Sequence, residues 1–259
     1  MSVIDRSFPS EKDLKFPRIC AHRGYSAAAP ENSMAAYHAA VNNGAGEIEL
    51  DVRFTKDGFP VSIHDDFLER ISNGTGTVQE HTLEELKKLD FGIKFSPDYA
   101  GTRIDTLEDI LAEFSRRTII NMHIKSLGPV YPEDYFRKIV ALIKKYDAAE
   151  HIYFMATPEI QQLAAKIIPE IPRCMSADAG KWEIVDNAIK YNCQKVQFFV
   201  PCWNQEMIDK AHDHGLQCNL YFCDEPADVA RIFDMGIDTI LTNDYLPIAK
   251  AAKEYLANK

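Results

Sequence analysis

Residues 47–66 read Glu47-Ile48-Glu49-Leu50-Asp51-Val52-Arg53-Phe54-Thr55-Lys56-Asp57-Gly58-Phe59-Pro60-Val61-Ser62-Ile63-His64-Asp65-Asp66. Two strand-like runs, Glu47–Phe54 and Phe59–His64, flank the turn signal Lys56-Asp57-Gly58. Asp-Gly between two such runs is a strong sign of a two-residue hairpin loop. With Asp57 and Gly58 as that loop, Asp51 lies opposite His64, and Glu49 sits two residues away on the same face. The second run then travels antiparallel to the first and is not counted in a parallel barrel.

That exclusion sets the fold. From residue 118 onward, a short apolar run, a turn and an amphipathic helix recur. The runs are Thr118–Ile124, Ile152–Ala156, Arg173–Ala177, Val196–Val200, Cys218–Cys223 and Thr239–Leu241. Helical stretches lie between them at Pro132–Tyr146, Pro158–Ile168, Trp182–Tyr191, Asn204–His214 and Pro226–Asp234. Three of these carry Pro in the first turn, where its missing N–H is harmless. With Ile19–Ala21, a helix over Asn32–Asn43 stopped by Gly44, and Glu47–Phe54, the strand centres are Ile19, Ile48, Ile120, Tyr153, Met175, Phe198, Leu220 and Ile240. Eight βα units in a chain of 259 residues predict an α/β fold, a (β/α)8 TIM barrel. Strands this apolar are expected to be buried on both faces. The turn-rich stretch from about 66 to 101, with a helix at Leu83–Asp90 started by a Thr82/Glu85 capping box, reads as a small insertion after strand two. The chain is read as one domain over 1–259.

Composition narrows the function. Hydrophobic residues make up 46% and charged residues 26%, which excludes a disordered, collagen-like or transmembrane chain. A net charge of −10 offers no electrostatic footprint for nucleic acid. The six cysteines form no C-x-x-C pair; Cys20, Cys174, Cys218 and Cys223 fall in apolar runs and read as reduced core residues. Met1–Phe16 is polar with no apolar signal core, so a cytoplasmic location is expected. Stable membrane insertion is not expected, because no apolar span of about 20 residues or basic amphipathic helix is present.

In such a barrel, chemistry belongs at the C-terminal ends of the strands. Those positions hold His22-Arg23-Gly24, Glu49-x-Asp51 and His123-x-Lys125, with His64-Asp65 brought alongside by the hairpin. Glu49 and Asp51, at i and i+2, converge on one face of a strand. They are read either as ligands of a divalent cation or as a rim pair neutralised by Arg23 or Lys125. Two histidines beside such a pair suit acid–base chemistry near neutral pH. His38, His81, His151, His212 and His214 lack such company and read as structural.

The runs Ala21-His22-Arg23-Gly24, Pro30-Glu31-Asn32-Ser33, Ile48-Glu49-Leu50-Asp51-Val52 and Thr55-Lys56-Asp57-Gly58 closely resemble the glycerophosphodiester phosphodiesterase family. So do Val61-Ser62-Ile63-His64-Asp65, Asn73-Gly74-Thr75-Gly76, Thr106-Leu107-Glu108-Asp109 and the closing Thr242-Asn243-Asp244. The resemblance implies a TIM barrel that hydrolyses small glycerophosphodiesters to an alcohol and glycerol phosphate with one divalent metal. It implies His22 and His64 as the acid–base pair, Glu49 and Asp51 as metal ligands, and Arg23 and Lys125 as phosphate contacts. Glu31 is implied near the metal or the glycerol, beside its plainer reading as a carboxylate at a helix N-terminus.

Two positions depart from the family pattern. Asn121-Met122-His123-Ile124-Lys125 has His123 where the family has a third carboxylate. As a ligand, an imidazole shifts the expected metal from Mg²⁺ or Ca²⁺ toward Mn²⁺, Zn²⁺ or Co²⁺. Tyr221-Phe222-Cys223-Asp224 stands where a tryptophan is usual, so Tyr221 is expected as a substrate wall, with Phe222 and Trp203 nearby. These departures keep two alternatives open: a barrel that binds phosphodiesters without turnover, and a lyase or hydrolase for another small phosphodiester.

Overall fold

The computed structural model of the chain describes residues 7–128 and 130–259, so Met1–Arg6 of the polar leader lie outside the described residues. Eight parallel strands close into a barrel: β1 (Arg18–Ala21), β2 (Glu47–Phe54), β4 (Ile119–Ile124), β5 (Ile152–Ala156), β6 (Arg173–Met175), β7 (Lys195–Phe199), β8 (Gln217–Tyr221) and β9 (Thr239–Thr242). Closure comes from β1, which pairs with both β9 and β2. The extra strand β3 (Pro60–Ser62) is antiparallel to the end of β2. Helices α1 (Met34–Asn42), α3 (Leu107–Phe114), α4 (Glu133–Lys145), α5 (Pro158–Ile167), α6 (Ile184–Lys190), α7 (Gln205–Asp213), α8 (Val229–Asp234) and α9 (Tyr245–Ala257) connect or follow the strands. All eight expected strand centres fall in barrel strands. The helix α9 is an element the sequence reading did not name.

The hairpin differs from expectation by one residue. Its partners are Val52↔Ser62, Arg53↔Val61 and Phe54↔Pro60, so the loop holds Lys56, Asp57 and Gly58. Thr55 N donates to Phe59 O at 3.0 Å, and Gly58 takes the left-handed position at φ +75°. That is the three-residue alternative to the two-residue turn. A one-residue shift exchanges the faces of a strand. Ile63, not His64, therefore stands opposite Asp51, donating its N–H to Asp51 O at 3.1 Å. His64 still reaches the barrel mouth, because the ladder ends at Ser62 and Arg53 Nε holds the His64 carbonyl at 2.7 Å.

The insertion is less helical than expected. Helix α2 spans only Leu83–Leu86, although the Thr82/Glu85 capping box is formed. A separate apolar cluster of Val61, Ile63, Leu68, Val78, Leu86, Phe91 and Ile104 joins this segment to the hairpin.

The barrel strands are buried on both faces, but the two faces differ in chemistry. Ile48, Leu50 and Val52 of β2 pack outward with the helices, as do Ile120, Met122, Val196, Phe198, Cys218 and Leu220. The inward positions are largely polar. Asn121 Nδ2 donates to Gln197 Oε1 at 3.3 Å, Asn219 Nδ2 to Tyr153 Oη at 2.9 Å, and Tyr153 Oη to Glu47 Oε1 at 2.6 Å. At the N-terminal ends of the strands, Lys195 lies 2.7 Å from Glu11 and Arg18 lies 3.0 Å from the same carboxylate. Phe8 and Leu14 pack there against Ile119, Tyr153, Met155 and Cys174. The segment before β1 thus plugs that end of the barrel. Cys20, Cys174, Cys218 and Cys223 are buried free thiols, as expected. Among the described residues, no helix is long and apolar enough to cross a membrane.

The plug makes stability depend on a buried charge. Burial opposes ionisation of Glu11, but Lys195 and Arg18 outweigh it and hold its carboxyl below the usual range. Stability from this pairing is present above the unfolded carboxyl value and lost as pH falls through the lowered native one. Lys195→Met should therefore cost about 3–5 kcal/mol at pH 7, by leaving a buried carboxylate short of a partner. Urea unfolding at pH 7 and pH 3 checks this. The cost should shrink at the lower pH, and a loss under about 1 kcal/mol at pH 7 would contradict a structural role for the pair.

Candidate active site

The C-terminal ends of the barrel strands surround a cavity of about 320 Å³ that brings together His22, Arg23, Glu49, Asp51, His64, His123, Lys125 and Tyr221. Local backbone constraints place the first of these. The turn after β1 lies against α1 so tightly that a Cβ on Gly24 would stand 2.6 Å from the Ala36 carbonyl carbon. Gly24 also has φ +78°, so glycine is required twice over and fixes where His22 and Arg23 emerge.

Glu49 and Asp51 point into the cavity from β2, and each is about 1% exposed. They are therefore buried groups and not the rim pair considered above, though the cations named in that reading are present. Lys125 Nζ lies 2.8 Å from Asp51 Oδ1, and Arg23 Nε lies 3.5 Å from Asp51 Oδ2. Arg23 N donates to Glu49 Oε2 at 2.9 Å. Burial, then the neighbouring Asp51, push Glu49 well above the usual carboxylate range. Burial acts on Asp51 too, but Lys125, His123 and Arg23 outweigh it and keep Asp51 ionised. Asn32 holds Asp51 from both sides: its Nδ2 donates to Oδ2 at 2.8 Å and its Oδ1 accepts the Asp51 N–H at 3.0 Å. Asn32 is consequently not the first residue of α1; Ser33 caps that helix.

Ligand atoms of Glu49, Asp51 and His123 lie within 4.8 Å of one another. Asp51 Oδ1 has close cationic neighbours but no aligned hydrogen-bond donor, leaving a buried lone pair aimed into the cavity. Two carboxylates and an imidazole around such an atom fit a divalent cation, which would also relieve the repulsion that raises Glu49.

The two histidines are held differently. His22 Nδ1 lies 2.7 Å from Asn243 Oδ1, an acceptor, so the Nδ1–H form donates there and the Nε2 lone pair faces Glu49 Oε2 at 3.8 Å. Burial, helped by Arg23, pushes the His22 imidazole down to about 4. Asn243 is fixed in turn by Asp224, which accepts from Asn243 N and Nδ2 at 2.8 and 2.7 Å. His64 Nδ1 instead meets the carboxylate of Asp65 at 2.7 Å. Burial lowers His64 too, against the pull of Asp51 and Asp65. Burial resists ionisation of Asp65, but Arg70 and His64 bring it down to about 2.

The remaining expectations divide. Tyr221 forms a wall, its ring 4.7 Å from that of His22. Trp203 packs against the core and Phe222 is half-exposed beside Tyr221; neither lines this cavity. Glu31 does not line it either. Its carboxylate takes Arg23 Nη1 at 2.7 Å and both Nη atoms of Arg70 at 2.6–2.7 Å, in a neighbouring cleft of about 150 Å³. Sequence reasoning assigned no role to Asn32, Arg70, Ser176, Asp178, Gln197, Asp224 or Asn243. Asn243 and Asn32 sit inside quoted motifs and could have been suspected. Arg70 and Asp178 come from loops whose approach to the mouth depends on the folded chain.

The contrast between the histidines is measurable. In the metal-free protein, ¹⁵N NMR should show His22 as the Nδ1–H tautomer with a midpoint near 4, and Asn243→Ala should remove that preference. A midpoint at or above 6 for His22 would contradict the buried, Asn243-bound state.

The sequence pattern of the glycerophosphoryl diester phosphodiesterase family matches residues 22–246. A glycerophosphodiester phosphodiesterase of Caldanaerobacter subterraneus is 33% identical over 228 residues, covering 87% of this chain and 93% of its own. One from Bacillus subtilis is 31% identical, covering 86% and 82%. Among solved structures, an Oleispira antarctica phosphodiesterase in complex with the product sn-glycerol-3-phosphate superposes with a TM-score of 0.83 at 25% identity, covering 92% of this chain and 97% of that one. A glycerophosphodiester phosphodiesterase from Agrobacterium tumefaciens gives a TM-score of 0.75 at 27% identity, with 92% and 100% covered. With its barrel, its paired histidines and its buried carboxylates, the chain belongs to the glycerophosphoryl diester phosphodiesterase family and is a phosphoric diester hydrolase.

Proposed function

We propose that the protein hydrolyses glycerophosphodiesters to an alcohol and glycerol phosphate, with His22 as general base and His64 as general acid. The observation that carries this assignment is the difference between their partners. His22 is neutral and donates to a neutral amide, so its Nε2 lone pair is free to accept a proton. His64 is backed by a carboxylate, which stabilises the imidazolium form. Both face the cavity that also holds Arg23 and Lys125.

In this reading Arg23 and Lys125 attract the phosphate despite the chain's net charge of −10. His22 Nε2 takes the proton of the glycerol hydroxyl next to the phosphoester. The hydroxyl oxygen forms a bond to phosphorus, the bond to the departing alcohol breaks, and His64 gives that alkoxide a proton. A cyclic phosphate results. Water opens it with the two histidines in exchanged roles, yielding glycerol phosphate and restoring both protonation states. A divalent cation held by Glu49, Asp51 and His123 would supply polarisation of the phosphoryl oxygens. The imidazole ligand favours Mn²⁺, Zn²⁺ or Co²⁺ over Mg²⁺ or Ca²⁺. The same reading places the protein in the cytoplasm, where six free thiols stay reduced.

The test is an assay on glycerophosphocholine and glycerophosphoethanolamine, with the metal-stripped protein reloaded with each ion and products followed by ³¹P NMR. His22→Asn and His64→Asn should each lower kcat about 10²–10⁴-fold. A diester with a nitrophenol leaving group, which needs no protonation, should rescue the His64 variant and not the His22 variant. Rescue of the opposite variant would reverse the assignment, a cyclic end product would make the protein a lyase, and unchanged diester with every ion would make it a binding protein.

A further inference from the structure

His123 raises a problem of charge and orientation. A glutamate at this position would bring a formal charge and two equivalent oxygens. An imidazole brings neither, and it ligates only through whichever ring nitrogen lacks the proton. Something must choose that nitrogen.

Two contacts do so. Lys125 Nζ lies 2.8 Å from His123 Nδ1, and an ammonium group can only donate. Nδ1 is therefore the acceptor and the proton of the neutral ring belongs on Nε2. Nδ1 is on the Asp51 side of the ring, 3.2 Å from Asp51 Oδ1, with the Lys125 ammonium 2.8 Å from both atoms. On the opposite side of the ring, Nε2 faces Asp178 Oδ2 at 3.7 Å. Asp178 follows β6 and is held in a tight turn: Ser176 Oγ donates to Asp178 Oδ2 at 2.9 Å and accepts Asp178 N–H at 3.1 Å. Ser176 itself is buried.

We propose that Asp178 is a positioning residue for metal binding, its carboxylate drawing the Nε2–H of His123 so that Nδ1 faces the cation site of Glu49 and Asp51. A carboxylate behind a ligating histidine fixes the tautomer and raises the basicity of the ligating nitrogen. The inference rests on the cation reading of Glu49, Asp51 and His123 given above.

The experiment measures ion affinity directly, by electron paramagnetic resonance titration with Mn²⁺ and by visible absorption with Co²⁺. The proteins are wild type, Asp178→Ala, Asp178→Glu, His123→Glu and the double variant His123→Glu/Asp178→Ala. The Asp178 side chain is 64% exposed, so its removal leaves no hole in the core. Asp178→Ala should weaken binding about 10–100-fold and Asp178→Glu should restore most of it. In the His123→Glu background, removal of Asp178 should change affinity less than about twofold, because a carboxylate ligand has no tautomer to set. Asp178→Ala binding as tightly as wild type would overturn the proposal alone. An equal loss in the His123→Glu background would overturn it too, by showing that Asp178 acts by bulk charge or loop structure. Wild-type protein that binds neither ion overturns the proposal together with the metal reading beneath it.

Discussion

Two carboxylates, Glu49 and Asp51, sit side by side on β2 with almost no access to water, and the mouth of the barrel is built around the cost of keeping them there. An isolated buried carboxylate is expensive, and two within reach of each other resist ionising together. Every nearby element answers that demand. The turn after β1 supplies the backbone N–H of Arg23 to Glu49 and its guanidinium to Asp51. The loop before α1 supplies Asn32, and the end of β4 supplies Lys125. What these groups leave, an Asp51 Oδ1 that is ion-paired but accepts no aligned hydrogen bond and a Glu49 pushed up by burial and Asp51, is the property that makes the site receptive to a cation.

Among the described residues, β2 is the longest strand and the only barrel strand with three neighbours. Its first two residues pair with β1, its first six with β4, and its last three with β3. The antiparallel strand is thus a lever that carries His64 and Asp65 to the mouth, and behind it the insertion sends Arg70 back onto Asp65 and Glu31. The excursion between residues 66 and 101 is therefore part of the catalytic surroundings and not a decoration on the barrel. Arg70 ties Glu31 and Asp65 together, two carboxylates that approach the site from opposite sides of the sequence.

The opposite end of the barrel obeys the same rule with a different outcome. Glu11, Arg18, Glu47 and Lys195 are as buried as the active-site charges, yet they are paired with one another and covered by the leading segment. Charges paired among themselves under a covering segment make a plug, and charges facing an open cavity make a site. The chain uses inward polar positions at both ends while its outward strand faces supply the apolar core with the helices.

Much of this was legible in the sequence because strand periodicity is a local property. Eight βα repeats, the antiparallel hairpin and the inward Glu49/Asp51 pair all follow from residues close together in the chain. So does the grouping of His22, His64, His123 and Lys125 at strand ends, since a parallel barrel carries every such end to one mouth. The hairpin register differs by one residue, because Asp-Gly serves both two- and three-residue loops, and only the folded pairing, with Gly58 left-handed and Asp57 not, distinguishes them. Trp203 and Glu31 were placed nearer the cavity than they lie, since loop direction is set by packing against the barrel and not by neighbouring residues. The sequence by itself determined the barrel and the chemical identity of the residues at its mouth. Only the tertiary structure decided how Asn243, Asp65 and Asp178 orient the three site histidines, because a ring's tautomer depends on partners up to 221 residues distant along the chain.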